Sequence, residues 1–298
     1  MPLPPVRRRG TGEPLVLVHG LGATSDCWRP VLDDLARHRE VVTFDLPGFG
    51  AQAALPGRFA LAALVDAVED VLRRERLLGA DLVGSSLGGE VVLELLRRGH
   101  GRHVVSLAPS GYWGPLGRAW FLLVAWTATA LVLVLRSAVP AVVGVAAVRA
   151  VLLQPLSPRP HALDRDLMTT AARHFGTTPA FLPGLRWIAR RRDPVRVPAG
   201  ASAGRRVTLA WGRRDGLCLP RQAHRAAVAV PDAVLHWFDR SGHLPPWDEP
   251  AATVDLLLAA TGVDADGPGA VSAASPPSAP RPRSTAGPGR TAAPSEGS

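Results

Sequence analysis

Asp81-Leu82-Val83-Gly84-Ser85-Ser86-Leu87-Gly88-Gly89 is an apolar strand that runs straight into a G-x-S-x-G turn and then into a helix. A serine on so sharp a strand-to-helix turn is pushed out of the sheet with its hydroxyl exposed, poised to act as a nucleophile. The flanking Gly84 and Gly88 are required because the turn leaves no room for a Cβ. The start of the helix offers free backbone N–H groups to a developing negative charge. Gly200-Ala201-Ser202-Ala203-Gly204 repeats the same pentapeptide. It follows Pro198, which breaks a strand, and precedes Arg205-Arg206 and a β-like run, so it reads as a flexible loop. Context, more than the pentapeptide, carries the signal.

Working outward, the pattern alternates strand and helix. Pro14-Leu15-Val16-Leu17-Val18-His19 is a near-continuous apolar run suited to a central strand covered on both faces. A helix is expected over 25–37, with Ser25 and Asp26 as cap candidates, then a strand over 40–45. Leu61, Leu64, Val65, Val68, Val71 and Leu72 fall on one side of a helix over 61–78. A strand over 80–84, a helix over 87–98 and a strand over 103–108 follow. After a break the pattern resumes with strands over 206–211 and 234–238 and helices over 220–230 and 249–260. Repeated βα units predict an α/β fold, a mostly parallel doubly wound sheet with helices on both faces.

The expected organisation is a core formed by residues 1–110 and 200–262, with an apolar helical cap, 111–199, inserted between its parts. Residues 263–298, rich in Pro, Ala, Ser and Gly, form a tail too poor in large apolar side chains to fold. Within the insert, residues 119–135 are seventeen uncharged residues between Arg118 and Arg136, at the lower edge of what spans a bilayer. A second apolar run covers 137–153. A single span would strand the later sheet elements across the membrane. The choice lies between greasy cap helices over the site and a cap that dips into a membrane, with Tyr112, Trp113, Trp120 and Trp126 as interface anchors. Either way the substrate is expected to be lipophilic.

The 298 residues, 47% of them hydrophobic, suffice for a full core. Lysine and asparagine are absent, so all 34 basic side chains are arginine and the formal charge of +9 partly reflects a GC-rich codon usage. These arginines are scattered, whereas a nucleic-acid binder would gather them on one face; no nucleic-acid partner is expected. Cys27 and Cys218 form neither a disulfide framework nor a metal-ligand spacing. The first residues lack the apolar stretch of a signal peptide. A cytoplasmic location is expected, with membrane association through the cap as the open alternative.

Serine needs a base and a group that orients the base. Asp215 and His243 each sit just past a predicted strand, where a parallel sheet puts its ligand-facing loops, separated by one helix, one strand and two short loops. Asp193 and Asp239 are competing acids, placed less well. His19-Gly20-Leu21-Gly22 follows the first long strand, and its small residues would let N–H groups approach a reacting carbonyl. The expected oxyanion donors are the backbone N–H groups of Leu21 and Leu87. His19 is expected to hold its loop.

Leu17-Val18-His19-Gly20-Leu21-Gly22, Phe44-Asp45-Leu46-Pro47-Gly48-Phe49-Gly50, the Ser86 turn, Trp211-Gly212-Arg213-Arg214-Asp215 and Ser241-Gly242-His243 together resemble the α/β-hydrolase superfamily over residues 3–262. The resemblance implies Ser86 as nucleophile, His243 as base, Asp215 as its orienter, structural roles for Asp45 and Gly48, and a helical cap after the sixth strand. No metal or organic cofactor is implied. The usual first strand is missing, with residues 3–9 supplying a shortened second one. The expected activity is hydrolysis of a lipophilic ester, thioester or related acyl substrate through an acyl-enzyme. Carbon–carbon bond hydrolysis and cofactor-free perhydrolysis on the same fold stay open. Two readings outside the class are a non-catalytic membrane-associated scaffold and a dinucleotide-binding protein. The latter is suggested by Gly20-Leu21-Gly22-Ala23-Thr24-Ser25 and Asp45, although Ser25 stands where the third glycine belongs.

Overall fold

The computed structural model describes residues 5–134, 145, 150, 153–191 and 193–262. Seven strands make one sheet: β1 (Arg7–Arg9), β2 (Pro14–Val18), β3 (Glu40–Thr43), β4 (Asp81–Ser85), β5 (Val104–Leu107), β6 (Val207–Gly212) and β7 (Val234–Phe238), in the order β1-β3-β2-β4-β5-β6-β7. Only β1 is antiparallel, pairing with β3; all other pairs are parallel. Every residue of β4 and of β6 is buried, as strands covered on both faces must be. The short edge strand β1 is three exposed arginines, charges that discourage pairing with another chain.

The α-helices among the described residues are α1 (Arg29–Ala36), α2 (Leu61–Arg74), α3 (Leu87–Arg97), α4 (Pro115–Val134), α5 (Arg165–His174), α6 (Phe181–Arg190), α7 (Arg221–Ala229), α8 (Pro245–Asp248) and α9 (Pro250–Ala260). Alternation along the strands sorts two cores onto the two faces. Leu15, Leu17, Val83 and Val105 pack with residues of α1 and α9, while Val16, Val18, Leu82 and Val104 pack with residues of α2 and α3. Below the sheet, the buried Asp81 carboxylate accepts from Arg39 Nη2 at 2.5 Å and Arg102 Nη2 at 2.7 Å, and Arg39 Nη1 donates to Thr261 Oγ1 at 2.6 Å. Burial alone would raise the Asp81 pKa, but the two guanidinium groups outweigh it and hold the carboxyl low.

Several expectations shift in detail. The helix expected over 25–37 opens as a 3₁₀ turn, Ser25–Trp28, before α1. Neither Ser25 nor Asp26 caps it: Ser25 donates both its N–H and its hydroxyl to Asp45 Oδ1, each at 2.7 Å. The helix expected over 61–78 stops at Arg74, with Arg76 at a φ of 59° ending the run. The insert follows β5, the fifth strand of this chain, which is the sixth in the family's count once the missing first strand is allowed for. Its described helices are α4, α5 and α6. Most of the second apolar run, 137–153, and the tail from 263 lie outside the described residues. Tyr112 is no interface anchor: it is buried, and its hydroxyl donates to Val195 O at 2.8 Å.

Candidate active site

In the sheet, β3 lies on one side of β2 and β4 on the other. A chain that reverses direction across a parallel sheet opens a crevice at the carboxyl ends of those strands. Into this crevice β2 delivers His19-Gly20-Leu21-Gly22 and β4 delivers Ser86.

Ser86 stands between β4 and α3 with φ 55° and ψ −114°, a conformation unusual for a non-glycine residue and typical of sites where geometry is imposed. A Cβ at Gly84 would collide with the carbonyl oxygen of Gly88, and one at Gly88 with that of Val18. These clashes are the reason both positions are glycine. The Ser86 carbonyl is fixed from two sides, by Glu90 N at 3.2 Å and Ser110 N at 3.4 Å. The loop after β2 approaches closely: a Cβ at Gly20 would lie 3.0 Å from Ser86 Cβ. Among the described residues no carbonyl receives the N–H of Leu21 or of Leu87, which leaves both available to an incoming oxyanion.

His19 anchors this loop. Its Nδ1 donates to Gly20 O at 2.8 Å and its Nε2 accepts from Leu46 N at 2.9 Å, bonds that define the neutral tautomer. Burial lowers its pKa and keeps it neutral, and with both ring nitrogens committed to the backbone it does not compete as a base.

Asp215 and His243, expected from sequence to converge, do so. Asp215 Oδ2 lies 2.9 Å from His243 Nδ1, and both side chains are buried. The other oxygen, Oδ1, accepts from the N–H groups of Leu217 at 2.9 Å and Cys218 at 2.8 Å. The carboxylate is therefore fixed, holds the imidazole proton on Nδ1 and leaves Nε2 as the basic nitrogen. The competing acids do not reach the imidazole. Asp239 is exposed and paired with Arg213 at 2.6 Å, and Asp193 is exposed, whereas the His243 ring is buried against Asp215. Ser202, in the repeated pentapeptide, donates to Asp232 at 2.5 Å in a turn outside the crevice.

Ser86, His243, Gly20 and Leu21 line one cavity of about 250 Å³. The rest of its wall is largely apolar, with Phe121, Val124, Leu131, Leu167, Met168 and Phe175 from the insert. Cys27 also lines it, but burial raises the thiol pKa, which suppresses the thiolate that would make it a rival nucleophile. Among the described residues, no group of His, Cys, Asp or Glu could hold a metal ion. Asp45, the acid a dinucleotide ribose would need, is occupied by Ser25.

Two supports escaped the sequence reading. The His243 loop is held by the insert: His243 N donates to Leu156 O at 2.7 Å, Gly242 N to Asp248 Oδ2 at 2.7 Å, and Ser157 Oγ to Asp248 Oδ1 at 2.5 Å. Glu90, buried on the first turn of α3, accepts from Ser110 Oγ and pairs with Arg191 at the end of α6. Burial raises the Glu90 pKa, outweighing Arg191 and Ser110. The only sequence signal for either was an acidic residue in an otherwise apolar or Pro-rich stretch.

The family model described as "Alpha/beta hydrolase family" matches residues 15–256. An uncharacterized protein of Mycobacterium tuberculosis is 27% identical over 267 residues, covering 84% of this chain and 76% of that one. A pimeloyl-acyl-carrier-protein methyl ester esterase of Pseudoalteromonas atlantica is 35% identical over 105 residues, 35% of this chain and 36% of that one. Among solved structures, a thermophilic esterase from Thermogutta terrifontis is similar in fold, with a TM-score of 0.66 and 19% identity over 85% of this chain and 91% of that one. Matched over residues 15–256, this chain belongs to the alpha/beta hydrolase family of enzymes.

Proposed function

We propose that the protein is a serine hydrolase of a small lipophilic acyl substrate, an ester or thioester, with Ser86 as nucleophile, His243 as base and Asp215 as its orienter. The observation that carries this reading is the strained Ser86 sharing one apolar cavity with an imidazole whose Nδ1 is fixed on a buried carboxylate. Ser86 Oγ attacks the carbonyl carbon while its proton passes to His243 Nε2. The N–H groups of Leu21 and Leu87 receive the oxyanion. As the tetrahedral carbon collapses, His243 returns the proton to the departing alcohol or thiol. Water then enters, gives a proton to His243 and releases the acid, restoring the Ser86 hydroxyl.

Among the described residues Ser86 Oγ makes no hydrogen bond, so its link to Nε2 forms as substrate closes the site, where such bonds tighten. Among the described residues no arginine lines the cavity, and Asp26 is the only carboxylate that does. A substrate of carbon–carbon cleavage that brought its own carboxylate or enolate would meet no cationic partner among these described lining residues, and this favours a neutral acyl group. A chain-length series of p-nitrophenyl esters tests the reading. Longer acyl chains are expected to raise kcat/KM until the cavity is filled, and Ser86→Ala and His243→Ala are each expected to abolish turnover with the fold intact. Full turnover by either variant would overturn it.

A further inference from the structure

Helix α4 has two working faces. Phe121, Val124, Ala125, Ala128, Leu131 and Val132 line the cavity that holds Ser86. The opposite face is exposed along the whole helix at positions 115, 116, 119, 120, 123, 126, 127, 130, 133 and 134, the 3.6-residue stripe of one side. That stripe carries no charge. Leu116, Leu123 and Val134 are 79%, 61% and 78% exposed, and Trp120 and Trp126 stand among them. At about 1.5 Å per residue the 20-residue helix presents roughly 30 Å of uncovered apolar surface. Soluble proteins rarely leave a continuous apolar patch of this kind without a partner.

Two features identify the partner as a lipid surface. The first is charge. The exposed Arg221 and Arg225, on the first turns of α7, come up beside the start of α4: a Cβ at Gly114 would collide with the Arg225 guanidinium, and one at Gly117 would lie 3.9 Å from Arg221 Nη2. Neither arginine forms an ion pair with a described carboxylate, so an uncommitted cationic rim adjoins the apolar stripe, which suits anionic headgroups beside acyl chains. The second is the arrangement of the wall: α4 carries the exposed stripe on one face and lines the Ser86 cavity with the other, so a substrate dissolved in the lipid can reach the cavity past α4. The helix lies along the surface instead of crossing it. It is tied down from both faces, with Phe121 of the inner face stacked on Trp113 at 4.7 Å and Trp120 of the stripe donating its Nε1 to Gly216 O at 2.7 Å. The pairing of β5 with β6 returns the chain to the same sheet after the insert.

We infer that α4 seats the enzyme on anionic lipid bilayers and draws a lipophilic acyl substrate from them into the Ser86 cavity. The inference rests on the hydrolase reading for its second half only. The test uses the full chain in vesicle flotation with phosphatidylglycerol or phosphatidylcholine vesicles. Wild type is expected to float with the anionic vesicles, less so at high salt. Leu116→Glu with Leu123→Glu, both outside the cavity, is expected to weaken partitioning at least tenfold while p-nitrophenyl acetate hydrolysis stays within about twofold. Arg221→Glu with Arg225→Glu is expected to remove the preference for anionic lipid. Wild type that floats with neither vesicle, a Leu variant that floats undiminished, or light scattering showing that the stripe instead holds a dimer would each overturn the inference. Fluorophosphonate labelling separates the two claims: a protein that labels without floating loses only the membrane surface, and one that floats without labelling loses only the hydrolase.

Discussion

Asp215 and His243 are joined through Oδ2 and Nδ1 at 2.9 Å, while the remaining carboxylate oxygen takes two backbone N–H groups. The acid is thus bound on both sides before substrate arrives, and the imidazole is held in one tautomer. Asp215→Asn keeps the shape but can place an N–H where the carboxylate accepted, reversing the tautomer. The expected loss in kcat is about 10⁴-fold, with circular dichroism unchanged. A loss under tenfold would show that another group orients His243.

Gly84→Ala tests the turn. The added methyl meets the Gly88 carbonyl, which belongs to the backbone and cannot swing aside. Overpacking of this kind costs about 1–3 kcal/mol, and in a domain of this size each kcal/mol is roughly 2–4 °C of Tm. Thermal unfolding is expected to move down by that amount, with activity falling because Ser86 moves with the turn. An unchanged Tm would show that the turn relaxes freely.

Glu90 predicts a pH signature. Its folded pKa is raised by burial above the ordinary 4.5, so the folded state binds this proton more tightly than the unfolded chain does. Stability from this group is therefore present below pH 4.5 and lost as pH rises through the raised value. Glu90→Gln removes the effect, and its Tm relative to wild type is expected to climb with pH across that window. Arg191→Ala strands the buried carboxylate and is expected to cost about 3–5 kcal/mol near neutrality. A Tm difference for Glu90→Gln that is flat or falls with pH would contradict the assignment.

Asp248→Ala releases Gly242 N–H and Ser157 Oγ together and loosens the loop that carries His243. Misplacement by about 1 Å can cost 10²-fold in rate, and a fall of that order in kcat is expected, with a smaller change in KM. Unchanged kcat would mean that the Leu156 carbonyl alone positions the loop.

The sheet was legible because its central strands are buried on both faces: the run at 14–18 is apolar throughout, and those at 81–85 and 207–212 are apolar at most positions without strict alternation. Gly84 and Gly88 were legible for the same kind of reason, since a turn without space tolerates nothing larger. Asp215 and His243 could be named because they close βα units at the same rim. What escaped involves partners remote in sequence. Ser25 looked like a cap, yet its hydroxyl turns to Asp45, 20 residues on. Tyr112 looked like an interface aromatic, yet Val195, 83 residues away, takes its hydroxyl. Asp248 and Glu90 find Ser157, Ser110 and Arg191 only after the insert packs, and no local periodicity records that.

Mass spectrometry of the protein after exposure to a fluorophosphonate probe addresses the nucleophile itself. A single adduct is expected on Ser86, formed rapidly in wild type, slowly in His243→Ala and not at all in Ser86→Ala. An adduct on a different serine, Ser202 or Ser85 for instance, or a folded wild-type protein that stays unlabelled, would contradict the account.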